Sequence, residues 1–207
     1  MMEYIKPDEI EKRSFEIIQS ELTRPLDPII APIVMRVIHT TADFEYADSL
    51  AFSESVIERA VLALRQGVSI VSDTNMVKAG VNNARLSMFG SDILCFMQDD
   101  DVADLAKKNG ATRAKTAIDK ASAMGKPLIF AIGNAPTALL RICELKETNQ
   151  LSPELVIGVP VGFVNVVESK EALIRSGIPY ITARGRKGGS NVAAAICNAL
   201  LRIAEAD

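Results

Sequence analysis

Tryptophan is absent from this 207-residue chain, aromatic side chains make up only 5% of it, and there is a single histidine, His39. With so few rings, the 48% hydrophobic content rests on Ala, Val, Ile and Leu, a mix that suits helices packed on a buried parallel sheet. An excess of positive charge is lacking too. The net charge of −3 and pI near 5.4 create no basic field, which argues against nucleic acid as a partner. Long apolar runs are missing: the longest candidate, residues 155–167, is broken by Gly158, Pro160, Gly162 and Asn165, so no membrane span is expected. The N-terminus, Met-Met-Glu-Tyr-Ile-Lys-Pro-Asp-Glu, has no apolar signal core, and a soluble cytoplasmic protein is expected. Cys95, Cys143 and Cys197 are odd in number and far apart, each in an apolar stretch, so buried reduced thiols are expected.

Several chemical signatures are also absent. The order G-x-x-x-x-G-K-[ST] of a Walker A loop does not occur, nor does the dinucleotide fingerprint G-x-G-x-x-G. Asp99-Asp100-Asp101 has no second ligand set at suitable spacing, so it reads as the acidic first turn of a helix and no metal is expected. His39 has no Cys or Ser near it in a nucleophilic arrangement.

What is present begins with His39, the one side chain able to exchange a proton near neutrality, at an unperturbed pKa of roughly 6.5. It ends an amphipathic helix in which Ile33, Val37 and Ile38 face inward, and Arg36, three residues earlier, shares its face. A guanidinium there could hold a carboxylate while the imidazole handles a proton. A preceding helix runs from Pro7-Asp8 to Leu22, with Ile10, Phe15, Ile17 and Ile18 available for packing, and the stretch Pro25 to Pro28 separates the two. Ser53 is expected to cap a third helix that stops at Gly67.

From residue 69 onward, short β-branched runs alternate with helical patterns. The runs at 69–72, 92–96, 128–132, 155–159 and 180–182 predict a doubly wound, mainly parallel α/β sheet of about five strands, with the N-terminal helices as an addition. One domain over residues 1–207 is expected.

In such sheets ligands bind beyond the carboxyl ends of the strands, and the polar and glycine residues gather there. The clusters are Ser72-Asp73-Thr-Asn-Met76-Val-Lys78-Ala-Gly80, Gly133-Asn134-Ala-Pro-Thr137, residues 160–165 around Gly162, and Arg184-Gly-Arg186-Lys-Gly188-Gly189-Ser190. Small residues let a bulky ligand approach the backbone, and helix N-termini offer N–H groups to anions. The 184–190 loop is the strongest anion signal, and Thr112-Arg113-Ala-Lys115 is a second basic cluster at a helix start.

Taken together, these segments resemble the precorrin-8X methylmutase (precorrin isomerase) family over nearly the whole length. The likeness runs through Ile10-Glu-Lys-Arg13-Ser14-Phe, Val37-Ile-His39, Asp73-Thr-Asn-Met76, Gly133-Asn-Ala-Pro-Thr, Gly158-Val-Pro-Val-Gly162, Glu168-Ser-Lys-Glu-Ala-Leu173 and Arg184-Gly-Arg-Lys-Gly-Gly-Ser190. One departure is Thr40-Thr41-Ala42, where many relatives carry a small turn containing Cys or Gly. The resemblance implies a flavodoxin-like fold and a homodimer with its active site near the interface. It also implies migration of the C-11 methyl of a tetrapyrrole, precorrin-8 or its cobalt complex, to C-12 by a 1,5-sigmatropic shift that needs no cofactor. His39 would then be the proton donor and acceptor. Arg13, Ser14, Arg36, Arg113, Arg184 and Arg186, with Lys78, would hold the carboxylates. Asp73, Met76, Gly80, Gly133, Asn134, Thr137, Gly162, Gly188 and Gly189 would line the macrocycle's face.

Two other readings stand beside this one. A non-catalytic corrinoid carrier would bind without turnover, and a phosphosugar-type isomerase would use Gly188-Gly189-Ser190 for phosphate.

Overall fold

A computed structural model describes residue 6 and residues 9–206 of the chain. In chain order the elements are α1 (Ile10–Glu21), α2 (Ala31–Thr41), α3 (Tyr46–Ser49), β1 (Leu50–Phe52), α4 (Val56–Arg65), β2 (Ser69–Ser72), α5 (Asn75–Gly80) and α6 (Asn83–Met88). They continue as β3 (Ile93–Leu94), α7 (Asp100–Lys108), α8 (Arg113–Ser122), β4 (Leu128–Ile132), α9 (Pro136–Glu147), β5 (Leu155–Gly158), α10 (Val166–Arg175), β6 (Tyr180–Ala183) and α11 (Ser190–Ala206).

The strands form one sheet in the order β1-β6-β5-β4-β2-β3. The five expected runs are all present and parallel, and without β1 their order is that of flavodoxin-like sheets. A sixth strand was not anticipated: β1 pairs antiparallel with β6, Leu50 opposite Ala183 and Phe52 opposite Ile181.

Residues fully buried on both faces explain why the central strands read as continuous apolar runs. On β4, Ile129 and Ala131 join one core with α2, α4 and α11, while Leu128, Phe130 and Ile132 join another with α8, α9 and α10. The sheet is therefore doubly wound. The N-terminal helices add a layer outside it, because α2 packs along α11 and buries Ile33, Val37 and Ile38 as the sequence pattern predicts.

Helix α1 follows its pattern less closely. Ile18 is buried and Phe15 partly so, but Ile10 and Ile17 are exposed, and Pro7 and Asp8 lie outside the described residues. Ser53 does not cap α4. Its hydroxyl accepts from Tyr180 N, and α4 begins after Ser55, whose φ is +50°. Helix α2 ends through Ala42 at φ +53°, a left-handed position that costs a residue bearing a Cβ and suits glycine. Among the described residues, no helix is long and apolar enough to cross a membrane.

Candidate active site

The chain reverses its direction of winding between β2 and β4, and Asp73 sits at that switch point. Its carboxylate accepts from the backbone N–H groups of Gly133, Asn134 and Ala135 at 2.9, 2.8 and 2.6 Å. The residue is buried, and burial raises its carboxyl pKa above the ordinary value although the three donors oppose this. Asp73, expected at the substrate, is thus committed to shaping the 133–135 turn. Thr74, one residue on, caps α5 through Val77 N and meets the Ser190 hydroxyl at 2.9 Å, tying this turn to the start of α11.

Several glycines bring chain segments together. A Cβ on Gly133 would lie 2.7 Å from Ser190 Cα, one on Gly80 would lie 2.8 Å from Ala194 Cβ, and one on Gly188 would lie 2.2 Å from the Val159 carbonyl oxygen. These three were expected to admit a ligand, and the structure uses them for internal close approach. Gly162 and Gly189 have φ values of +138° and +128°.

The loops after β5 and β6 interlock. Gly189 N donates to Val159 O at 2.8 Å and Gly162 N to Arg186 O at 3.2 Å. Arg186 lies over the Phe163 ring at 5.6 Å, and Arg184 pairs with Glu171 at 3.0 Å. From beneath, Lys170 donates to the carbonyls of Gly185 at 3.0 Å and Lys187 at 2.7 Å. Burial pushes the Lys170 ammonium down to about 8.

This double loop is joined to the turn that follows His39. Lys187 bonds both Asp43 and Glu45, which raises its own pKa and holds the Asp43 carboxyl below its ordinary range. His39 itself is exposed, with its ring centroid 5.4 Å from that of Phe15 at a 53° tilt. Its ring has no hydrogen-bond partner among the described residues. Arg36 shares its helix but is taken up elsewhere: its guanidinium lies 4.7 Å over Phe15 and bonds Glu11. Burial pushes the Glu11 carboxyl up, but Arg36 and Arg202 outweigh it and hold the group below its usual range. The two cations therefore anchor α1 beside His39, and Arg36 does not stand open to a carboxylate.

Other expected residues are more dispersed. Arg13 pairs with Glu16 on an exposed face, and the Ser14 hydroxyl donates back to Ile10 O. Arg113 opens α8, whose cap Thr112 touches Thr137 at 3.0 Å, so it is drawn to the loop after β4. Lys78 is exposed, as is Met76 at 72%. Asp99 and Asp101 bracket the Lys120 ammonium. Burial raises the thiols of Cys143 to about 11 and Cys197 to about 12, which disfavours the thiolate in both, and Cys95 is only half-buried.

Lys170, Glu11, Phe15, Asp43 and Glu45 were not among the expected site residues. For Lys170 a signal existed: Val166, Ser169, Lys170 and Leu173 recur at i, i+3, i+4 and i+7, which places the lysine on the buried face of α10.

The sheet defines a doubly wound α/β protein, and its single histidine is exposed at the end of α2. The sequence profile described as CbiC: Precorrin-8X methylmutase matches residues 9–203. The chain belongs to that family, and so is an isomerase of cobalamin biosynthesis, not a phosphosugar enzyme. It is 46% identical to the cobalt-precorrin-8 methylmutase of Salmonella typhimurium, covering 97% of both chains. It is 44% identical to the enzyme of the same name from Priestia megaterium, covering 97% of this chain and 90% of that one. The crystal structure of precorrin-8x methyl mutase from Thermus thermophilus superposes with a TM-score of 0.88 at 38% identity, covering 96% of this chain and 98% of that one.

Proposed function

We propose that this chain moves the C-11 methyl of cobalt-precorrin-8, or of metal-free precorrin-8, to C-12 by a 1,5-sigmatropic shift, giving cobyrinate or hydrogenobyrinate. The observation that carries this reading is His39, open to solvent at the end of α2, packed on Phe15 and adjoining the turn that Lys187 ties to the glycine loops. A sigmatropic shift needs neither redox chemistry nor a nucleophile. It needs a conjugated ring held in one geometry and a proton placed on a ring nitrogen, which draws electron density from the π-system and lowers the barrier. His39 donates that proton and recovers it after migration.

The methyl stays within one molecule, so no group is lost or gained. Arg113 at one end of the edge and Arg184 and Arg186 at the other hold the peripheral carboxylates. The exposed apolar residues on the same edge, Phe163 at 84%, Val164 at 77% and Met76 at 72%, support a flat apolar ligand and a partner subunit covering it. The homodimer belongs to this reading. The names of the Salmonella typhimurium and Priestia megaterium relatives favour the cobalt substrate.

The test is a visible absorbance time course with each substrate, using wild type and His39→Ala. The wild type converts the spectrum to that of the corrin product, while the variant binds but turns over at least about 100-fold more slowly, in line with loss of a general acid. Equal turnover by the variant overturns the role of His39. Binding by the wild type without conversion of either substrate makes the protein a carrier.

A further inference from the structure

Lys170 is 1% exposed, and among the described residues no carboxylate pairs with it. A buried ammonium is costly unless hydrogen-bonded, and a methionine would fill the same place on α10 without that cost. Both of its recorded bonds go to backbone carbonyls of one loop, those of Gly185 and Lys187.

The peptide bonds here are trans, so the N–H of each peptide points opposite to its carbonyl. Drawing the Gly185 and Lys187 carbonyls inward turns the N–H groups of Arg186 and Gly188 away from α10. The amides that flank the loop are engaged, Arg184 N donating to Ser49 O and Gly189 N to Val159 O, while those of Gly185 and Lys187 have no acceptor among the described residues. The amides of Arg186 and Gly188 have no acceptor among the described residues. Two N–H groups two residues apart and turned the same way make a seat for an anion, with the Arg186 guanidinium beside it.

We propose that Lys170 is a positioning residue for substrate binding: by drawing two carbonyls inward, it presents the N–H groups of Arg186 and Gly188 to one peripheral carboxylate of the macrocycle. This rests on the corrinoid reading of the site. Lys170 does not touch the substrate. It fixes the peptide planes that do, and Gly188 keeps its plane close against Val159.

The probes are hydrogenobyrinic acid and its fully amidated derivative. Lys170→Met weakens binding of the acid about 10- to 100-fold, the range of a lost charge-assisted bond, and binding of the amide by less than about threefold. With precorrin-8, KM rises by a similar factor while kcat stays within about threefold. In isotope-labelled wild type, the amide resonances of Arg186 and Gly188 move downfield when the acid is added, a readout that holds even if the variant folds poorly. Equal loss for acid and amide makes Lys170 merely structural and overturns the proposal, as do unmoved amide resonances in a wild type that binds. A wild type that binds neither probe removes the corrinoid reading and the seat together, whereas tight binding of the acid by Lys170→Met removes the seat alone.

Discussion

Two loops at the carboxyl edge are each shaped by a buried ion from another element, and the ions have opposite sign. Asp73 collects three N–H groups from residues 133–135, while Lys170 collects two carbonyls from residues 185 and 187. The peptide groups left on the far side are therefore opposite as well. The loop after β4 turns the carbonyls of Gly133 and Asn134 away from its buried anion. The loop after β6 turns N–H groups away from its buried cation. One edge thus offers both acceptors and donors through backbone alone, and each set is fixed by a side chain that lies behind it.

The two anchors differ in how completely they are matched, and that ranks the expected effects. Asp73→Ala strands three donors, that of Gly133 buried and those of Asn134 and Ala135 part-buried, and urea unfolding is expected to show a loss of about 3 kcal/mol. Lys170→Met strands two carbonyls, which tolerate an unpaired state better than N–H groups, and also removes a desolvated charge; a loss of about 1–2 kcal/mol is expected. The pH dependence separates the pair further. Folded Lys170 releases its proton near 8, whereas an unfolded lysine keeps it to 10.5, so above pH 8 the unfolded chain holds more protons. The melting temperature of the wild type should gain on that of Lys170→Met between pH 8 and 10.5, and a constant gap would show that Lys170 does not titrate there.

Exposed contacts matter less. Lys187→Met cuts the link to Asp43 and Glu45, and the small drop expected in melting temperature should vanish in 1 M salt. Smallest is Ala42→Gly, expected to gain roughly 0.5 kcal/mol, because glycine accepts the φ of +53° but brings greater unfolded-state entropy. If the variant is less stable than wild type by denaturant titration, the left-handed cap is not a source of strain.

Much of this architecture is legible in the sequence where local pattern and burial coincide. Residues 69–72 and 128–132 announce themselves as strands because both faces are covered, so every position is apolar or small. The loops at the carboxyl edge could be named from the ends of the predicted strands alone. Strand β1 could not, since three residues carry no period and their pairing partner lies more than a hundred residues away. The committed state of Arg36 was equally hidden, because its partner Glu11 sits on another helix. Lys170 was masked by its own chemistry: a lysine is counted as surface even where helical spacing turns it inward.

The burial of Lys170 has one more consequence. The form of the 184–189 loop is stored in a side chain on α10, whereas its outward charge is carried by Arg184 and Arg186. Shape and charge can thus change separately. On the proposed function, substitutions at the two arginines would retune which ring substituents are preferred while the backbone beneath them keeps its form, leaving the rim free to diverge on a constant scaffold.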